Sequence, residues 1–88
     1  MMMDRRHLKR QFVFKHGKII LSTGDLEVDC AILNFSESGA GLTLPRNVDV
    51  PDHFTLLDVA TDRRYLTQVI WRRGRRIGVL FDDLADYD

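Results

Sequence analysis

The sequence predicts an all-β protein: a small barrel of six antiparallel strands behind a flexible, basic N-terminal arm. Three observations predict it. Apolar residues recur at every second position, as where Val28, Cys30 and Ile32 alternate with Asp29, Ala31 and Leu33, the period of a half-buried strand. Turn-forming residues interrupt these runs at short intervals: His16-Gly17, Ser22-Thr23-Gly24-Asp25, Ser36-Glu37-Ser38-Gly39, Pro45-Arg46-Asn47, Pro51-Asp52 and Arg73-Gly74. The chain has 88 residues, 44% hydrophobic and 30% charged, which suffices for one core and not for two. Closing so many short strands into a barrel also removes exposed sheet edges.

Residues 1–11 form the predicted arm. Arg5, Arg6, Lys9 and Arg10 crowd into it with little apolar content, so their repulsion predicts mobility. The barrel is assigned to residues 12–83, with strands near 12–21, 27–35, 40–45, 53–60, 63–73 and 75–82. The fifth strand reads as Tyr65, Thr67, Val69 and Trp71 on one face and Leu66, Gln68 and Ile70 on the other. The sixth sets Ile77, Val79 and Phe81 against Arg76, Gly78 and Leu80. Residues 84–88 are a short acidic tail.

The formal net charge is zero but segregated: residues 1–20 carry net +5, 21–62 net −7, 63–76 net +6 and 77–88 net −4. Two basic segments separated by an acidic one predict a local anion site, whereas a general nucleic-acid binder is usually basic overall. The single Cys30 excludes an intrachain disulfide and favours a reducing compartment. No signal-type apolar segment follows the initial methionines, and no apolar run reaches the ~18 residues of a membrane span. These features predict a cytoplasmic protein without a membrane segment. His7, His16 and His53 lack metal-ligand spacing with one another or with Cys30. No nucleophile elbow, phosphate-binding loop or dinucleotide fingerprint occurs. A binding protein is therefore expected, not an enzyme, with no cofactor and no metal.

Three stretches carry candidate chemistry. Arg6 and Arg10 are four residues apart, a spacing that puts both on one side of a helical turn or of an extended arm. Two guanidinium groups so placed can fork onto phosphate oxygens or a guanine edge, although basic termini are also common as solvated tails. In "NFSESG", residues 34–39, Asn34 offers an amide suited to a base edge, Ser36 and Ser38 offer hydroxyls, and Gly39 permits positive φ or close backbone approach. An ordinary hairpin turn uses the same residue types. "WRRGRR", residues 71–76, reads as a charged hairpin tip. There Trp71 shares a face with Val69, so core packing is its default role and contact with a planar ligand the alternative.

Together these stretches resemble the PilZ family, bacterial receptor domains for cyclic di-GMP. The family pattern is R-x-x-x-R on an N-terminal arm, then D/N-x-S-x-x-G some two dozen residues later. Here Arg6-His7-Leu8-Lys9-Arg10 and Asn34-Phe35-Ser36-Glu37-Ser38-Gly39 match it, and "AGLTL" and "VIW…GRRIGVLF" resemble the family's later strands. The resemblance covers nearly the whole chain and implies a six-stranded PilZ-like barrel. It implies that Arg6 and Arg10 hold the phosphates and guanine edges of cyclic di-GMP, with Asn34, Ser36 and Gly39 meeting a guanine from the barrel surface. Arg5 is implied to influence whether one or two ligand molecules stack there, and Trp71 to help shape the site. The implied partners are cyclic di-GMP and an effector protein, engaged as the arm becomes ordered. Two other readings stay open: a ligand-independent interaction module of the same fold, and a small nucleic-acid-binding barrel acting through Arg72, Arg73, Arg75 and Arg76.

Overall fold

A computed structural model describes residues 11–21, 26–46 and 48–82. Arg5, Arg6 and Arg10, and the acidic tail, lie outside the described residues.

Six strands form: β1 (Gln11–Ile20), β2 (Glu27–Phe35), β3 (Gly39–Thr43), β4 (His53–Asp58), β5 (Arg63–Arg73) and β6 (Arg76–Phe81). They close an antiparallel barrel in the order β1-β2-β3-β6-β5-β4. Strands β1 to β3 form one meander and β4 to β6 another. The two join through β3–β6 along Gly39–Thr43 and through β1–β4 along Gly17–Ile20. Every strand thus gains a partner on both sides, which an isolated three-stranded meander does not provide.

The alternation read from the sequence fills the barrel. Ile19, Cys30, Ile32, Ala40, Leu42, Phe54, Leu56, Ile77 and Val79 are buried in its interior, and the β3–β4 connection adds Leu44 and Val50. β5 contributes a polar residue, Thr67, whose hydroxyl donates to the Phe54 carbonyl at 2.9 Å, so its burial leaves no unpaired group. Phe35, Tyr65 and Phe81 pack together with centroids 4.5–5.6 Å apart, within the range of favourable aromatic pairs. The Lys15 ammonium lies 5.3 Å from the Phe35 centroid.

Lys15 also closes the barrel electrostatically. Its Nζ is 2.8 Å from Oδ2 of Asp58, a carboxylate only 1% exposed. The other oxygen of Asp58 accepts from the Ala60 N–H at 3.1 Å. Burial pushes the Asp58 carboxyl up, but the Lys15 hydrogen bond and charge, with the N–H groups of Ala60 and Thr61, outweigh it and hold the pKa below the ordinary value. Asp58 thereby organises the β4–β5 turn, where Asp62 sits at φ 62° and its N–H donates to the Asp58 carbonyl at 2.7 Å.

Of three register irregularities among the described strands, one of them in β1 between Phe12 and Lys15, two decide where Asn34 and Trp71 face. Ile32 pairs with Leu42 but Asn34 with Gly41, so Leu33 is an extra residue in β2 against β3. Val69 pairs with Val79 but Trp71 with Gly78, so Ile70 is the extra residue in β5. A bulge of this kind reverses the alternation beyond it. Asn34 therefore leaves the inward row of Cys30 and Ile32. The shared face of Val69 and Trp71 expected from the sequence is corrected: Val69 packs on the core, whereas Trp71 lies on the outer face, 45% exposed.

Candidate functional site

The bulges assemble one row across four neighbouring strands. Asn34 on β2 pairs with Gly41 on β3, Gly41 with Gly78 on β6, and Gly78 with Trp71 on β5. Strand spacings of about 4.8 Å make this row roughly 14 Å long. Both glycines serve as seats. A Cβ on Gly41 would lie 2.6 Å from the Asn34 amide nitrogen, and one on Gly78 would fall inside the Trp71 indole. The amide and the indole can lie against the sheet only because these positions are bare, and Trp71 remains 45% exposed. β1 extends the row on the other side, where Phe12 pairs with Asn34 and is 84% exposed.

At one end of the row stands the turn between β2 and β3. The Ser36 N–H donates to the Gly39 carbonyl at 2.9 Å, and the Ser36 hydroxyl accepts from the Ser38 N–H at 3.3 Å. The Ser38 carbonyl accepts from the Phe81 N–H at 2.8 Å, bracing the turn on the end of β6. Gly39 is buried, and a Cβ there would strike the Val79 carbonyl. Its bareness serves the close β3–β6 approach, and its φ is not positive.

At the other end stands the β5–β6 hairpin. Gly74, at φ 60°, is the only described glycine with positive φ, and Arg73 pairs with Arg76 across the turn, as in a two-residue type II′ connection. Trp71, Arg72, Arg73 and Arg76 line a depression of about 330 Å³. The larger concavity, about 690 Å³, lies between Ile20, His53, Leu66, Gln68, Leu80 and Asp82. Among the described residues no lysine or arginine lines it.

Of the residues singled out in the sequence, the fold brings Asn34, Ser36 and Gly39 to one outer face together with Trp71. Arg5, Arg6 and Arg10 lie outside the described residues; among the described ones, β1 begins with Gln11 paired to Phe35, the residue before Ser36. Gly41, Gly78 and Phe12 were not legible as site residues. Their only signals were two glycines inside strand patterns, a known mark of close backbone approach, and an aromatic residue next to the arm.

Among the described residues, no group of His, Cys, Asp and Glu side chains could hold a metal ion. Burial, with the charge of Asp29, pushes the Cys30 thiol up to about 12, so it stays protonated and is no nucleophile. No helix among the described residues is long and apolar enough to cross a membrane.

The described residues form a closed six-stranded antiparallel barrel with a polar and aromatic row on its outer face. The chain matches the PilZ domain over residues 4–88 and belongs to that family, a family of cyclic di-GMP-binding modules. Comparison with curated proteins found no match.

Proposed function

We propose that this protein is a cyclic di-GMP receptor that binds its ligand on the outer face between the β2–β3 turn and Trp71. Arg5, Arg6 and Arg10 supply guanidinium groups to the phosphates and guanine edges. Asn34 and Ser36 meet a guanine, Gly39 sets the turn that presents them, and Trp71 offers its open face to a base. The observation that carries this reading is the register of β1. Gln11 sits opposite Phe35, and Arg10 is one peptide away, about 3.8 Å between Cα atoms. This register supports a reading in which motifs more than twenty residues apart in sequence act together at one end of the barrel.

Binding neutralises the mutual repulsion of the arm and fixes it against the turn, and the ordered arm is the surface that an effector protein reads. The charge pattern supports an anion over a nucleic-acid strand, since Arg72 and Arg75 are engaged within the protein. Calorimetric titration with cyclic di-GMP tests the reading. Binding is expected for the unaltered protein, and at least about tenfold weaker binding for Arg6→Ala or Arg10→Ala, because each bidentate arginine contact to a base is worth roughly 1–3 kcal/mol. No heat and no NMR shifts at ligand concentrations well above micromolar would refute it.

A further inference from the structure

The arginines around Trp71 divide into two kinds. Arg72 Nη2 donates to Asp52 Oδ1 at 2.8 Å, and Arg75 Nη1 donates to the Pro45 carbonyl at 2.9 Å. Arg73 and Arg76 are both exposed and sit directly opposite each other as the last pair of the hairpin. Among the described residues, no carboxylate pairs with either. Like charges directly opposite on neighbouring strands are destabilising, and the tight turn at Gly74 holds this pair in place. Alternation puts Arg73 on the same face as Trp71, and Arg76 on the same face as Gly78. Two unopposed guanidinium groups thus converge beside an exposed indole, in a depression of about 330 Å³, near the lower end of the size range of small-molecule sites.

We propose that Arg73 and Arg76 form a phosphate-binding pair that holds a phosphodiester of the cyclic dinucleotide while Trp71 meets one of its bases. This rests on the function proposed above and adds a second cationic contact, built on the rigid hairpin, to the one built on the arm. A phosphodiester offers two non-bridging oxygens, one for each guanidinium fork. Bound anion replaces the repulsion between Arg73 and Arg76 with shared attraction.

The test uses the doubly substituted Arg73→Gln/Arg76→Gln protein beside the unaltered protein and the Arg6→Ala/Arg10→Ala variant. The substitution removes like-charge repulsion, so thermal stability is expected to stay equal or rise, and weakened binding then reports the site. Calorimetry with cyclic di-GMP should show affinity reduced by about tenfold or more and a shallower dependence on salt. Trp71 is the only tryptophan in the chain, so its fluorescence reports the depression directly. GMP should change that emission more strongly than guanosine, which lacks the phosphate, and the difference should vanish in the Gln variant. Unchanged cyclic di-GMP affinity in the Gln variant, with binding lost in Arg6→Ala/Arg10→Ala, overturns the pair and leaves the receptor reading intact. If the unaltered protein does not bind cyclic di-GMP, the receptor reading fails and the GMP arm decides: a response lost in the Gln variant retains Arg73 and Arg76 as a nucleotide-phosphate site, and any other result removes them.

Discussion

Asp58 shows how one side chain links sequence to stability. A buried carboxylate is costly unless paired, and here Lys15 and backbone N–H groups supply the pairing. Because the folded pKa is depressed, Asp58 stabilises the fold fully above its unfolded value of about 3.9. That contribution declines as pH falls through the window between the unfolded and folded values and is gone below the folded one. Asp58→Asn leaves the Lys15 ammonium facing a neutral amide. The expected cost at neutral pH is about 1.5–3 kcal/mol, the range for a hydrogen bond to a charged group. Urea unfolding at pH 7 and again near pH 3 checks both parts: the gap between the two proteins should be open at the first pH and narrower at the second. A gap independent of pH would place the effect elsewhere.

At the scale of the element, β3 and β6 are held close by glycines that serve different ends. A methyl group at Gly39 meets the Val79 carbonyl, which is backbone and cannot swing away, whereas one at Gly78 meets the ring of a half-exposed tryptophan. Gly39→Ala should therefore cost stability on the scale of overpacking, about 1–3 kcal/mol. Gly78→Ala should cost less, because Trp71 can rotate outward, but it should shift the emission of that tryptophan and weaken ligand binding. Denaturant unfolding and fluorescence on the two variants separate the cases. Equal stability losses with unchanged emission would mean that the indole does not depend on its glycine seat. The bulge at Ile70 belongs to the same scale, since one extra residue in β5 turns Trp71 from the core to the surface.

For the molecule as a whole, the charge blocks along the sequence turn out to be partners as much as faces. Lys18 reaches Glu27 and Asp29, His16 reaches Asp29, and Arg72 reaches Asp52. Exposed pairs of this kind add little stability, but they absorb cations that sequence segregation alone assigned to an anion site. The free cations of the described hairpin narrow to Arg73 and Arg76. Amide hydrogen exchange tests the signalling part of the proposal. Cyclic di-GMP should increase protection around residues 5–12 and 34–39 and leave most of β5 unchanged, because barrel strands are already fixed by packing and ladder hydrogen bonds. An arm protected equally with and without ligand would mean that ordering is not the signal.

The sequence by itself determined the strands, their limits to within a few residues, the inward rows of β2 and β6, and the family, because alternation, turn chemistry and motif spacing are local properties written along one chain. It also carried Asn34, Ser36 and Gly39 as candidates, since their spacing needs no partner strand to be read. Only the tertiary structure decided that Leu33 and Ile70 interrupt the alternation, because a bulge is defined by the register of two strands and not by either alone. The same holds for Gly41 opposite Gly78 and for Arg73 opposite Arg76. Asp58 reads as an ordinary turn acid until Lys15, 43 residues away, is brought within 2.8 Å of it. Long-range register is fixed by how the whole barrel packs, and that energy is shared among strands that no local window contains.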